Sequence, residues 1–200
     1  MLFSDSTPKN GGLILWADSF YWQELYELCS KLWDSAYIND ESFKDYLYWL
    51  SYDIRKAYEG AAKQVEINDC RDKKIFLYGF ETNWVLILIQ VAFIRYCMAY
   101  VDTSKKEQGI IYLFEYQLEL RLQEQFSQND KRILEVTYSL VGADQAELKK
   151  KIANRSNYFL GLTKVKRTRQ LLFVMQSLSP MSSFNEIFGE EAWEIDNKPL

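Results

Sequence analysis

The sequence predicts an α+β protein, predominantly helical, in which a small antiparallel sheet (an N-terminal hairpin plus a strand near 75–80) packs on a helical bundle. Three observations carry this. Apolar residues recur at helical spacing through several long segments, each of which must turn one face to a common core. A turn rich in Gly and Asn joins two short strand-like runs at the N-terminus. One stretch, Trp84 to Val101, is apolar on every side, with Gln90 and Arg95 as its two strongly polar side chains. At 200 residues, 48% hydrophobic and 26% charged, the chain suits one core better than two. Residues 1–180 are therefore expected to form a single mostly helical domain, and 181–200 an acidic, partly flexible tail.

Leu2 to Asp5 and Leu13 to Trp16 flank Thr7-Pro8-Lys9-Asn10-Gly11-Gly12, a hairpin connection by composition. Asp18 or Ser19 can cap a first helix with a Trp22, Leu25, Cys29, Leu32 stripe, running to about Trp33. After the loop Asp34 to Asp40, Phe43, Tyr46, Leu47, Leu50, Ile54, Ala57 and Tyr58 make a second stripe that stops at Gly60. Periodicity is lost from Ala61 to Lys74, an exposed connection with room for a short strand near Val65 to Ile67. Ile75 to Phe80 has the β-branched and aromatic content of a strand that would pair with the hairpin.

Thr82 or Asn83 then caps the apolar stretch. A spanning helix needs about 20 apolar residues, and an arginine near its middle costs about 2.5–3.5 kcal/mol to insert. This run is shorter, is diluted by Tyr96, Cys97 and Tyr100, and carries Arg95, so a buried core helix and no membrane span is expected. Ser104 and Glu107 form a capping box ahead of Ile111, Phe114, Leu118, Leu122 and Phe126, a long helix. Between 133 and 141, Leu134, Val136, Tyr138 and Leu140 alternate as in a strand while Ile133, Val136, Thr137 and Leu140 fit a helix; the helical flanks favour helix. Asp144 to Glu147 resembles a further helix start, Gly161 a stop and Thr163 a cap. Pro180 would end the helix containing Leu171, Leu172, Val174, Met175 and Leu178. The last twenty residues read as a short helix plus a loose tail.

The chain has no histidine, which excludes the usual imidazole base, the Ser–His and Cys–His nucleophile pairs, and the commonest zinc ligand. Cys29, Cys70 and Cys97 are widely spaced without a CxxC pair, and with no secretory leader evident a reducing cytoplasm is the expected setting. No glycine-rich phosphate loop and no Asp-x-Asp or Glu-x-x-His pattern occurs. No cofactor, metal site or catalytic residue is nominated; a histidine-free enzyme is the third reading.

Two sets of charged residues call for explanation. A charge inside an apolar helix must be paired or line a cavity, so Arg95 should meet Asp53 or another acid, in a buried polar network that includes Arg55. A buried pair specifying helix register is the first reading, a ligand-anchoring arginine the second. The other set is Lys149, Lys150, Lys151, Arg155, Lys164, Lys166, Arg167 and Arg169. No Asp or Glu occurs between Leu148 and Asn185, so this segment carries +8, and the rest, with 16 Lys and Arg against 28 Asp and Glu, carries −12. These cations could answer acidic helices or the acidic tail, meet a partner protein with an acidic surface, or bind nucleic acid or anionic lipid with Tyr158 and Phe159 available for stacking. The tail mixes Glu186, Glu190, Glu191, Glu194 and Asp196 with Phe184, Ile187, Phe188, Trp193 and Ile195. Such a segment is a solvated end, or docks in a partner groove, or folds back on the basic helices.

The segment Tyr52-Asp53-Ile54-Arg55-Lys56-Ala57-Tyr58-Glu59-Gly60 resembles a bacterial family of uncharacterised proteins, in which a Thr-Pro or Thr-Lys hairpin leads into a helix and a Tyr-Asp-Ile-Arg-x-Ala-aromatic segment ends the second helix. The likeness spans most of the first 120 residues. It implies a bacterial, intracellular α+β protein and supplies no activity. The expectation is a non-enzymatic cytoplasmic interaction protein, an accessory, antitoxin or immunity-like component binding a protein partner through a charge-polarised aromatic surface. A nucleic-acid-binding regulator using 149–169 is the alternative.

Overall fold

The structure is a computed structural model and describes residues 1–35, 41–68, 73–142, 145–179, 182 and 188. Strands β1 (Leu2–Ser6) and β2 (Gly12–Ala17) form the expected hairpin, Leu2 lying opposite Ala17 and Ser6 opposite Leu13. Its turn is closed by Thr7, whose Oγ1 accepts the N–H groups of Gly11 and Gly12 at 3.0 Å each, with Asn10 at φ 52°. Gly12 is required by close approach: a Cβ there would stand 1.8 Å from the Thr82 carbonyl oxygen.

Helix α1 (Ser19–Asp34) is capped by Asp18, which accepts the Tyr21 N–H at 2.9 Å, and α2 (Glu41–Tyr58) runs to Gly60 at φ 73°. The two helices pack together over stripes that include Trp22, Leu25, Leu47 and Leu50. Strands β3 (Lys63–Asn68) and β4 (Lys74–Asn83) follow, and the antiparallel sheet has the order β1-β2-β4-β3. The sheet thus has a fourth, six-residue strand where the sequence suggested at most a short run. Lys63, Val65 and Ile67 are half-buried and alternate with exposed Gln64, Glu66 and Asn68, the pattern of an edge strand whose polar outer face thins its apolar signal. Its charges are answered on β4, Lys63 by Glu81 at 3.2 Å and Glu66 by Lys74 at 2.7 Å.

Strand β4 passes directly into α3 (Trp84–Met98), with Asn83 as both the last strand residue and the cap, its Oδ1 accepting the Leu86 N–H at 2.9 Å. Eleven of the fifteen α3 residues are buried, the outcome expected for a helix apolar all round. The helix stops at Met98 rather than Val101, where Tyr100 reaches solvent. Among the described residues no helix is long and apolar enough to cross a membrane. Helix α4 (Lys105–Phe126) begins with the full capping box, Ser104 Oγ accepting from Glu107 N–H at 3.2 Å and Glu107 Oε2 from Ser104 N–H at 2.6 Å.

The ambiguous stretch is α5 (Asp130–Ser139) followed by a 3-10 turn (Leu140–Gly142). Its buried positions are Ile133, Thr137 and Leu140, the helical set and not the alternating one. Helix α6 (Gln145–Gly161) ends at Gly161, and α7 (Lys164–Gln176) starts after Thr163, which has the extended cap backbone but makes no side-chain cap bond. The expected start at Asp144 and stop at Pro180 lie outside the described residues, as do Cys70 and the proposed tail apart from Ser182 and Phe188. One hydrophobic cluster extends from Leu2 to Leu178 and draws on every helix. Cys29 and Cys97 are buried free thiols inside it, each pushed up to about 12 by burial, and thus held in the inert protonated form.

Candidate interaction surface

Helices α6 and α7 hold all eight cations of the basic segment, and the apolar stripe of each helix decides where a cation goes. Leu148, Ile152, Arg155 and Phe159 follow one another by four, three and four residues, so Arg155 occupies a core position. Arg167 likewise precedes Leu171 and Val174 on the α7 stripe. Both are buried, at 5% and 7% exposure. Arg167 is spent on backbone carbonyls: its guanidinium donates to Phe159 O and Lys9 O, each at 3.0 Å, and also to Leu160 O. It closes the carbonyl end of α6 and ties the β1–β2 turn to α7. Arg155 donates to Ser177 Oγ at 3.2 Å and to Asn154 Oδ1 at 2.8 Å, and burial lowers its pKa.

Off the stripes the cations other than Lys151 point outward. Lys149 pairs with Asp45 of α2, while Lys150, Lys164, Lys166 and Arg169 are exposed and Lys151 is half-buried. The basic segment is therefore divided between the interior and the surface, which a charge count along the sequence does not distinguish.

Arg155 has a further contact, with Phe188. The Phe188 ring lies 3.8 Å from the guanidinium carbon of Arg155, edge-on to Tyr158 at 5.0 Å and 83°, and stacked on Phe173 at 5.8 Å and 27°. Phe188 is 9% exposed. Tyr158 is itself held across the groove, its hydroxyl donating to Gln170 Oε1 at 2.9 Å. Fold-back of the tail on the basic helices was one of the sequence readings; the seat formed by Arg155, Tyr158 and Phe173 was not foreseen.

Arg95 meets an acid as anticipated, but the acid is Glu115 of α4. The Arg95 Nε to Glu115 Oε1 distance is 2.8 Å, the same oxygen accepts the Tyr138 hydroxyl at 3.0 Å, and the Arg95 guanidinium lies 4.4 Å from the Tyr112 ring centroid. Burial pushes Glu115 up against the opposing pull of Arg95 and Tyr138, and raises Tyr138 as well. A small cavity beside the pair is lined by Leu88, Val91, Leu118, Leu134 and Thr137. Asp53, Arg55 and Arg95 do not form one network. Arg55 is exposed, 3.9 Å from Glu59 and over the Tyr52 ring, and Asp53 makes no ion pair among the described residues. Burial raises Asp53 to about 6, with Lys56 pulling the other way. Glu115 was legible, since it falls between Ile111 and Leu118 on the α4 stripe.

A second feature absent from the sequence reading is a run of rings across α1 and α2. Trp33, Tyr48, Trp49 and Tyr52 follow one another at centroid distances of 6.0, 5.6 and 6.3 Å. Lys44 lies over Trp33 at 5.9 Å and Lys56 over Tyr52 at 4.3 Å. Off-stripe positions on α2 place Tyr48 and Trp49 half in solvent. Among the described residues no group of three or more His, Cys, Asp or Glu could hold a metal ion.

The family model for a domain of unknown function (DUF6904) matches residues 2–193. No curated protein and no solved structure matches the chain.

Proposed function

The chain belongs to the DUF6904 family, and from its own surface we propose that it is a non-enzymatic interaction protein of the bacterial cytoplasm, an accessory, antitoxin or immunity-like component that binds a protein partner. The supporting observation is the α6–α7 pair, where Lys164, Lys166 and Arg169 are exposed and Tyr158 is half-exposed on a segment free of acids. Cations that extend from an aromatic surface steer an acidic partner over a Debye length of about 8–10 Å, and the rings supply contact area once it arrives. The protein partner is favoured over nucleic acid because several of the eight cations, Lys149, Arg155 and Arg167 among them, are engaged within the fold. Fewer remain to neutralise phosphates.

The test is capture from the native host at physiological expression, comparing the wild type with K164E/K166E/R169E. The wild type is expected to bring down the same protein reproducibly, and the triple variant to lose it by about tenfold or more at unchanged melting temperature. Recovery of the wild type alone, or capture indifferent to the reversal, overturns the proposal. Capture of nucleic acid with a steep salt dependence would put the regulator reading in its place.

A further inference from the structure

We propose that the groove between α6 and α7 is a docking site for an acidic segment carrying a phenylalanine, and that the chain's own C-terminal segment occupies it through Phe188. The inference deepens the proposed function and rests on it for the partner's identity, though not for the contact itself. The groove presents three different walls to one ring: a guanidinium beneath it, a tyrosine edge and a parallel phenyl face. All three are set by bonds or packing within the α6–α7 pair and against the core. Arg155 is anchored to Ser177 and Asn154, Tyr158 to Gln170, and Phe173 packs against the hydrophobic cluster. A seat whose walls are held by such bonds loses little freedom on binding.

The seat also selects its occupant. Arg155 is 5% exposed and has given up most of its water, and the negative face of an aromatic ring compensates a buried cation as an aliphatic side chain does not. Phenylalanine, with no polar edge to satisfy, fits better there than tyrosine. The charge on either side is complementary too. Phe188 is flanked in sequence by Glu186 and by Glu190 and Glu191, whereas Arg155, Tyr158 and Phe173, which form its seat, lie in the stretch from Leu148 to Asn185 that contains no acid. Because the occupant is tethered, its effective concentration is on the order of millimolar, and a competing segment must exceed that to enter. The C-terminal segment thus acts as a resident ligand, and a partner that displaces it must bring a phenylalanine among carboxylates.

The experiment uses the full chain and a fluorescent synthetic peptide of residues 182–196. Phe188→Ala in the protein should vacate the seat, so that the peptide binds this variant about tenfold tighter than it binds the wild type. A peptide carrying Phe188→Ala should lose binding about tenfold, and added salt should weaken the parent peptide. Should F188A lose the fold, Phe188→Leu keeps most of the volume but removes the ring, and it must still admit the peptide more readily than the wild type does. Equal binding to wild type and variants, or none to the variants, overturns the inference. No partner is present in this assay, so its outcome is separate from the capture experiment. Peptide failure with capture intact removes the groove alone, and capture failure with peptide binding intact leaves the groove as an intramolecular latch.

Discussion

Arg95 and Glu115 show how one ion pair serves the core. Glu115 is 8% exposed and the Arg95 side chain 28%, so removing either partner leaves the other poorly solvated. Arg95→Met should destabilise by roughly 3 kcal/mol, the low end for breaking a buried pair because Arg95 keeps some water. The double variant R95M/E115M should lose less than the sum of the single losses, as read by denaturant unfolding. Equal, additive losses would mean that the two charges do not interact. Asp53 makes a different prediction. Its folded pKa of about 6 lies above its ordinary 3.8, so the folded state holds the proton more tightly and stability falls as pH rises through that window. Asp53→Asn should therefore be more stable than the wild type at pH 7, with the advantage shrinking toward zero as pH drops to about 4. Melting curves of the pair across this range provide the measurement. Neither partner assignment followed from composition: Arg95 declared its need for an acid, but Glu115 declared itself only by lying on a stripe.

At the level of elements, local chemistry was the most legible part of the sequence. Asp18, Asn83 and Ser104 each cap as their side chains allow, because a cap is decided within three residues. Thr163 shows the limit: the residue type and backbone are right, but no side-chain bond forms. Ser104→Ala should thus cost about 1 kcal/mol and Thr163→Ala under about 0.5 kcal/mol, compared by chemical denaturation. The Ser104 effect extends to Glu107, whose carboxylate Lys31 and the Ser104 backbone hold down to about 2. Its stabilisation is present above its ordinary value of 4.5 and is lost as pH falls from there toward 2. Strand β3 was under-read for the opposite reason. An edge strand is defined by the neighbour it pairs with, and Lys63, Glu66 and Asn68 give the run a polar outline until β4 is beside it.

Across the whole molecule, the sequence foretold the charge asymmetry but not its distribution. Helical spacing separates cations that serve the fold, Arg155 and Arg167, from those that meet solvent, Lys164, Lys166 and Arg169. Arg167→Met should accordingly destabilise by about 2–4 kcal/mol through three orphaned carbonyls, whereas Lys166→Glu should leave the unfolding midpoint nearly unchanged. The groove that holds Phe188 was invisible because its walls come from two helices and its occupant from a third segment. The bond from Arg167 to Lys9 O spans 158 residues, and β2 pairs with β4 across 61 to 71 residues, from Ala17 with Tyr78 to Gly12 with Asn83. A hairpin alone is marginal, so β1 and β2 do not settle on their own. The opening turn is locked only when residues 158 positions apart have met, which makes its closure slow relative to the formation of any one helix.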